Sequence, residues 1–216
     1  RRYYSGRPER STNHFQPTEY GGTGNLDRRI QHWRYLGEKR DRRTTMKRLY
    51  IIVEGQTEQE FVNEQIAPYL RQHGIYEVTP ILIHTSKSGR GGFVNYQHLK
   101  NDAKRLLSSP KKDFVVSMFV DFFRCPEVPQ KERWSGKTSH LDQVAEMEKC
   151  IHEDINDTRF ISYIQLHEFE ALLFASNDGF TTFFSEEQAK KTQQIIESYD
   201  NPEDINTTPS GAPSKR

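Results

Sequence analysis

Residues 49–60 read Leu-Tyr-Ile-Ile-Val-Glu-Gly-Gln-Thr-Glu-Gln-Glu, an apolar run that stops at a carboxylate and a glycine. Its first five residues are aliphatic, β-branched or aromatic, which predicts a strand buried in a parallel sheet. Thr57 and Glu60 have the spacing of a capping box, which predicts that a helix begins at once. Ligands of open α/β sheets bind where such a strand meets its helix. Glu54 and Glu58 are therefore candidate site residues, although Glu58 alone could simply stabilise the helix dipole.

Two further strands are predicted to run into acidic residues. Residues 114–120, Phe-Val-Val-Ser-Met-Phe-Val, lead directly to Asp121, and a strand over 160–166 is followed by Glu168, with Glu170 nearby. Parallel strands place their carboxyl ends at one edge of the sheet, so these acids are expected to converge. Clustered carboxylates repel one another unless a cation lies among them, and oxygen ligands favour Mg²⁺ or Mn²⁺ over zinc. Any one of these acids could be a cap or an ion-pair partner, but a pattern that occurs three times favours a metal site.

The rest of the chain fits an α/β domain with a mainly parallel sheet. A strand over 76–84 and helices over 58–73, 93–107, 139–154 and 185–199 are predicted from apolar periodicity. A glycine-rich loop over 86–92 lacks the spacing of a nucleotide-binding P-loop. Lys87 and Arg90 on this loop, together with Arg124, are candidate contacts for substrate phosphates, and a plain surface turn is an equal alternative for the loop.

Charge is divided unevenly along the chain. Residues 1–48 carry 13 Lys and Arg against 5 Asp and Glu, or +8, whereas the remainder carries 18 against 25, or −7. We interpret residues 1–45 as a disordered or non-native basic extension and residues 46–216 as the domain, with a polar closing stretch that looks truncated. No apolar run is long enough to span a membrane, and no secretory signal is visible. Cys125 and Cys150 have no disulfide-framework or metal-ligand spacing, which predicts ordinary reduced thiols of a cytosolic protein.

Three stretches, Val53–Glu58, the strand that ends in Asp121, and Gln165–Glu170, together resemble the DUF4276 family of bacterial and archaeal proteins. That family is regarded as Toprim-like and related to OLD-type nucleases, so the resemblance implies a three-layer Toprim-like fold. It further implies catalytic roles for Glu54, Glu58 and Asp121. It implies metal binding by Glu54, Asp121 and Glu168. The chain departs from the Toprim pattern at position 123, where Phe123 replaces the second acid of an Asp-x-Asp pair.

The resemblance implies a Mg²⁺- or Mn²⁺-dependent nuclease that hydrolyses phosphodiester bonds in nucleic acid. The expected setting is a cytoplasmic anti-phage defence or genome-maintenance system with an AAA-type or ABC-type ATPase as partner. One alternative is a non-catalytic binding or regulatory subunit of that ATPase, since the Asp-x-Asp pair is degraded. Another is a phosphotransfer enzyme for a small phosphate ester. Both DNA and RNA are candidate substrates.

Overall fold

A computed structural model describes residues 48–85, 92–123, 125–166 and 168–205. The predicted basic extension over 1–45 and the closing stretch from 206 onward lie outside the described residues, as does His167.

The described residues form a parallel sheet of five strands. These are β1 (Arg48–Val53), β2 (Glu77–Leu82), β3 (Phe114–Asp121), β4 (Phe160–Ile161) and β5 (Ile164–Gln165). The order across the sheet is β2-β1-β3-β4, and β5 pairs with the end of β3. All pairings are parallel, with Val53 opposite both Leu82 and Phe119. The predicted parallel α/β architecture is therefore confirmed.

Helices connect the strands and cover both faces of the sheet. They are α1 (Gln56–Phe61), a π-helical turn (Val62–Ile66), α2 (Ala67–Gln72), α3 (Tyr96–Leu107), α4 (Lys131–Trp134), α5 (His140–Ile155), a 3-10 helix (Phe169–Ala175), α6 (Asp178–Phe183), α7 (Glu186–Glu197) and a second 3-10 helix (Pro202–Ile205). Two of these helices begin with a side-chain cap. Ser139 caps α5, and Ser185 forms a capping box with Gln188 on α7.

The alternation of side chains along the strands produces two cores. Ile52 on β1 faces the α3 and α5 layer, where it joins residues such as Leu99 and Ile151. Its neighbour Val53 faces the opposite layer, where it packs near Val62 and the 3-10 helix. Successive strand residues point to opposite faces, so an uninterrupted apolar strand is what a sheet covered on both sides requires. The result is the predicted three-layer arrangement.

Two local predictions are wrong. Helix α1 begins at Gln56, with Gly55 at the N-cap position and no side-chain cap, so Thr57 lies inside the helix and forms no capping box with Glu60. The strand predicted over 160–166 is divided into β4 and β5. At the break the segment bonds to α5: the Ser162 hydroxyl donates to the Glu148 carbonyl at 2.6 Å, and the Glu148 carboxylate accepts the backbone N–H of Ile164, the first residue of β5, at 2.8 Å.

Candidate functional site

The candidate site lies at the point where the connections of the sheet change direction. Strand β1 has β2 on one side and β3 on the other, and the helices that follow β1 and β3 pack on opposite faces; in open α/β sheets this arrangement leaves a crevice at the carboxyl ends of the strands. Glu54 is the first residue after β1, and Asp121 is the last residue of β3. The sequence prediction that both acids lie at this edge of the sheet is thus confirmed by the strand pairing.

Backbone amides hold Glu54 in the crevice. Its carboxylate accepts hydrogen bonds from the backbone N–H groups of Phe93 and Asp121, and its carbonyl accepts the N–H of Gly92 at 2.7 Å. Burial nevertheless raises the pKa of Glu54, and the nearby charges of Glu58 and Glu170 raise it further. The side chain is therefore oriented by two donors but remains costly to ionise without a cation.

Asp121 is the most strongly perturbed acid of the site. Its Oδ1 accepts the backbone N–H of Phe169, the first residue of the 3-10 helix, at 3.0 Å. Burial raises the pKa of Asp121 to about 8, with further contributions from the charges of Glu170, Glu58 and Glu54. The one hydrogen bond from Phe169 opposes this rise without cancelling it. Four carboxyl groups therefore lie within electrostatic range of one another.

Gly55 makes room for Glu58 to fold back toward the strand end. Glu58 is buried, and its Oε2 lies 2.9 Å from the position that a Cβ atom on residue 55 would occupy. The backbone of Gly55 is extended, with φ −139°, so other residues could adopt its conformation. The glycine is therefore needed for space and not for conformational freedom.

Glu170, and not Glu168, has the stronger effect on Asp121. The charge of Glu170 is the largest contribution to the raised pKa of Asp121 after burial, and it also acts on Glu54. The pKa of Glu170 is itself raised by burial and by the charges of Glu168 and Glu58. Glu168 is buried at the N-cap of the 3-10 helix. Glu168 as a metal ligand stays a prediction, and Glu170 joins the site.

We refer to Glu54, Glu58, Asp121 and Glu170 as the acidic crevice. Between described residues, no ion pair involves any of these four side chains. Lys87, Arg90 and Arg124, the predicted phosphate contacts, lie outside the described residues, so their role stays a prediction.

The carboxylates of the acidic crevice suit a hard divalent cation. Among the described residues, no group of three or more His, Cys, Asp or Glu is already arranged to hold a metal ion. Mg²⁺, however, typically keeps several waters and is bound by only one or two carboxylates together with substrate phosphates. Glu54 and Asp121 meet that smaller requirement in residue type and in position at the sheet edge. The residues present therefore suit a partly hydrated Mg²⁺ or Mn²⁺ ion and not a metal ion enclosed entirely by protein ligands.

Cys125 lies close enough to the crevice to respond to its charges. Burial raises the pKa of this thiol to about 12, with further contributions from Glu54 and Asp121. A protonated thiol is a poor metal ligand and a poor nucleophile. Cys125 therefore contributes packing and a low dielectric constant to the crevice and not chemistry, and no motif around it predicts this position.

A second polar cluster at the same sheet edge was missed from sequence. His84 follows β2, and its Nδ1 lies 3.0 Å from Oδ1 of Asp102 on α3. Two signals could have found the pair. His84 stands after a strand as Glu54 does, and Asp102 interrupts the apolar face of its helix between Leu99 and Leu106.

Gln165, part of the stretch that carries the family resemblance, has a structural role. Its side chain is fully buried; Nε2 donates to Oε1 of Glu203 at 2.7 Å, and Oε1 accepts the Tyr163 hydroxyl at 2.7 Å. These bonds tie the final 3-10 helix to the strand that pairs with the end of β3. Gln165 thereby supports the wall of the acidic crevice.

Among the described residues, no helix combines the length and apolar character that crossing a membrane requires. Comparison with curated proteins and with solved structures gives no match. A protein-family model, DUF4276 (Domain of unknown function), matches residues 53–216 and so includes every acid of the crevice. The strand-end carboxylates described above therefore belong to the matched region, and the chain is a member of the DUF4276 family.

Proposed function

We propose that the chain is a metal-dependent nuclease that hydrolyses phosphodiester bonds in nucleic acid at the acidic crevice. The observation that carries the proposal is the gathering of four carboxyl groups at the carboxyl ends of β1 and β3, where burial, together with the charges of the other three acids, raises the pKa of Asp121 to about 8. Such a cluster is unfavourable for a purely structural role, because its members gain little from one another unless a cation neutralises them. Perturbed acids in a cleft are a recognised sign of a functional site.

Glu54 and Asp121 would hold Mg²⁺ or Mn²⁺, with Glu170, Glu58 or the predicted ligand Glu168 completing the surroundings. When bound, the ion would stabilise negative charge on the phosphoryl oxygens. The backbone donors on Glu54 and Asp121 orient both carboxylates, so they need little rearrangement. The Glu54 carboxylate is also suited to accept the proton of an attacking water.

Nucleic acid as the substrate is supported by the family resemblance and by the basic charge of residues 1–48. Residues 49–216 are net acidic, so phosphate groups would need cations from elsewhere. We propose that Lys87, Arg90 and Arg124, close in sequence to the crevice elements, and the basic stretch over 1–48 supply them. The proposal also includes a cytoplasmic location, in keeping with the free thiols of the chain, and a role with an AAA-type or ABC-type ATPase in phage defence.

A second candidate is a non-catalytic subunit of such an ATPase. It is favoured by Phe123, which stands where the Toprim pattern has its second aspartate. In that case the crevice would bind a cation for structure or regulation and would cleave nothing. Both candidates predict metal binding, so turnover is what separates them.

The test is cleavage of end-labelled single- and double-stranded DNA and RNA by the full chain in Mg²⁺, in Mn²⁺ and in EDTA. Glu54→Gln and Asp121→Asn are expected to slow metal-dependent cleavage by roughly 10²–10⁴-fold, since several kcal/mol of charge stabilisation would be lost and each 1.36 kcal/mol is tenfold in rate. The exposed Glu197→Gln is the matched control and should cleave normally. Equal activity in all four proteins would refute the assignment.

Two further measurements, combined with this assay, separate the rival functions. Metal binding by calorimetry without cleavage of any nucleic acid would favour the non-catalytic subunit. Hydrolysis of a small phosphate ester that excess DNA and RNA do not inhibit would favour the phosphotransfer alternative. Inhibition by one nucleic acid would identify the substrate class.

A further inference from the structure

His84 is held at the carboxyl end of β2 by a buried carboxylate. The backbone N–H of His84 donates to Oδ2 of Asp102 at 2.8 Å, and its ring Nδ1 lies 3.0 Å from Oδ1. Arg105, one turn further along α3, contacts Oδ1 at 3.1 Å. The Asp102 side chain is only 5% exposed, whereas that of His84 is 34% exposed. One end of the imidazole is therefore fixed inside the protein while part of the ring reaches solvent.

The partner of Nδ1 determines which ring nitrogen can exchange a proton. An ionised carboxylate only accepts hydrogen bonds, so Nδ1 must carry a proton to bind Asp102. This holds for both the neutral and the protonated ring. Any proton that His84 gains or releases is therefore located on Nε2, as in other histidines oriented by a second group.

The backbone places His84 beside the acidic crevice. Leu82 pairs with Val53, and the N–H of Ile83 donates to the Val53 carbonyl at 3.1 Å. Neighbouring strands are about 4.8 Å apart, so His84 leaves the sheet at the same edge as Glu54. Gly92 also lies at this strand end, because its N–H donates to the Glu54 carbonyl at 2.7 Å.

We propose that His84 is the general acid of the reaction and that Asp102 is its positioning residue. This inference rests on the proposed nuclease function. A carboxylate that binds a cation is a poor proton donor, whereas imidazole is the side chain that ordinarily changes charge between pH 5 and 8. The carboxylates of the crevice can therefore accept the proton of water, and His84, held by Asp102, can donate a proton to the leaving group.

The step balances without any further reactant. The oxygen of water forms a bond to phosphorus and its proton passes to the Glu54 carboxylate. The bond from phosphorus to the leaving oxygen breaks, and that oxygen takes the proton from Nε2 of His84. The ring becomes neutral and keeps the Nδ1 proton that Asp102 binds. General acid catalysis of this kind contributes roughly 10²–10⁴-fold.

Leaving-group dependence tests this role. An oligonucleotide releases a poorly stabilised alkoxide that needs a proton, whereas a 4-nitrophenyl phosphodiester releases a stable phenolate that does not. His84→Ala and His84→Gln should slow cleavage of the oligonucleotide by roughly 10²–10⁴-fold and cleavage of the aryl ester far less. His73→Ala, at an exposed histidine on the C-cap of α2, is the control. An equal loss on both substrates, or no loss on either, overturns the inference.

A second measurement is independent of activity. Nitrogen-15 NMR of the wild-type protein should show the neutral His84 ring with its proton on Nδ1, and Asp102→Asn should weaken that preference. A neutral ring protonated on Nε2 overturns the inference even if every His84 variant fails to fold. If the wild type shows no metal-dependent cleavage, both proposals are overturned. If the wild type cleaves and His84→Ala is as active as the wild type on both substrates, only the role of His84 is overturned.

Discussion

Replacing Asp121 by asparagine should stabilise the metal-free protein near neutral pH. In the folded state burial and the neighbouring acids raise the pKa of Asp121 from 3.8 to about 8. The folded protein therefore holds more protons than the unfolded chain between these two values, so its stability falls as the pH rises through that window. Asparagine has no charge to lose, and its amide oxygen can still accept the N–H of Phe169.

The size of the effect follows from the pKa difference. Each pH unit above 3.8 costs about 1.36 kcal/mol until the pH reaches the folded-state pKa, so the penalty at pH 7 is on the order of 4 kcal/mol. For a protein of this length that corresponds to a melting temperature about 10 °C higher in Asp121→Asn than in the wild type. Below pH 4 the two proteins should melt at similar temperatures.

The assay is thermal and urea unfolding from pH 4 to pH 9 in EDTA, with the exposed Asp200→Asn as control. Added Mg²⁺ should reverse the order, because it stabilises the ionised wild type and releases a proton that calorimetry in buffers of different ionisation enthalpy can count. A wild type whose stability is constant between pH 4 and pH 8, or an Asp121→Asn with the same pH slope, would show that the carboxyl groups do not interact as described.

Two further substitutions test the acidic crevice and the opposite end of the sheet, near the start of β3. Gly55→Ala places a Cβ 2.9 Å from Oε2 of Glu58, so we expect calorimetry to show weaker metal binding. The loss of stability should stay within about 1 kcal/mol, because the flexible end of the Glu58 side chain can move. Unchanged metal affinity would contradict this. Arg159→Ala removes hydrogen bonds to the carbonyls of Ser109 and Lys111, so the free energy of unfolding measured in urea should fall by roughly 2–4 kcal/mol. A fall below about 1 kcal/mol would be inconsistent with those bonds.

The central strands and their terminal acids could be predicted because both depend on local chemistry. A run of apolar β-branched residues has few alternatives to a buried strand, and a carboxylate directly after it must lie at the strand end. Glu54 and Asp121 were therefore placed correctly from sequence. The start of α1 was predicted too late. Thr57 suggested a cap, but the helix already begins at Gln56, after the extended backbone of Gly55 and with Glu58 folded back toward the strand end.

The remaining features depend on contacts between distant residues. The break between β4 and β5 coincides with hydrogen bonds to Glu148 on α5, and nothing in residues 160–166 indicates that a buried carboxylate would accept the N–H of Ile164. His84 and Asp102 meet across 18 positions, and the relative influence of Glu168 and Glu170 depends on how the 3-10 helix turns at the sheet edge. Such pairings become visible only when the chain is folded.

The central position of β1 has a consequence for biosynthesis. This strand emerges before both of the strands that pair with it, and its partners β2 and β3 begin only at Glu77 and Phe114. One edge of this apolar segment therefore stays unpaired until β2 is made, and the other until more than sixty further residues have been made. Long-range parallel pairing is slow, and exposed strand edges promote association. We expect the nascent chain to be protected by chaperones until β3 has left the ribosome.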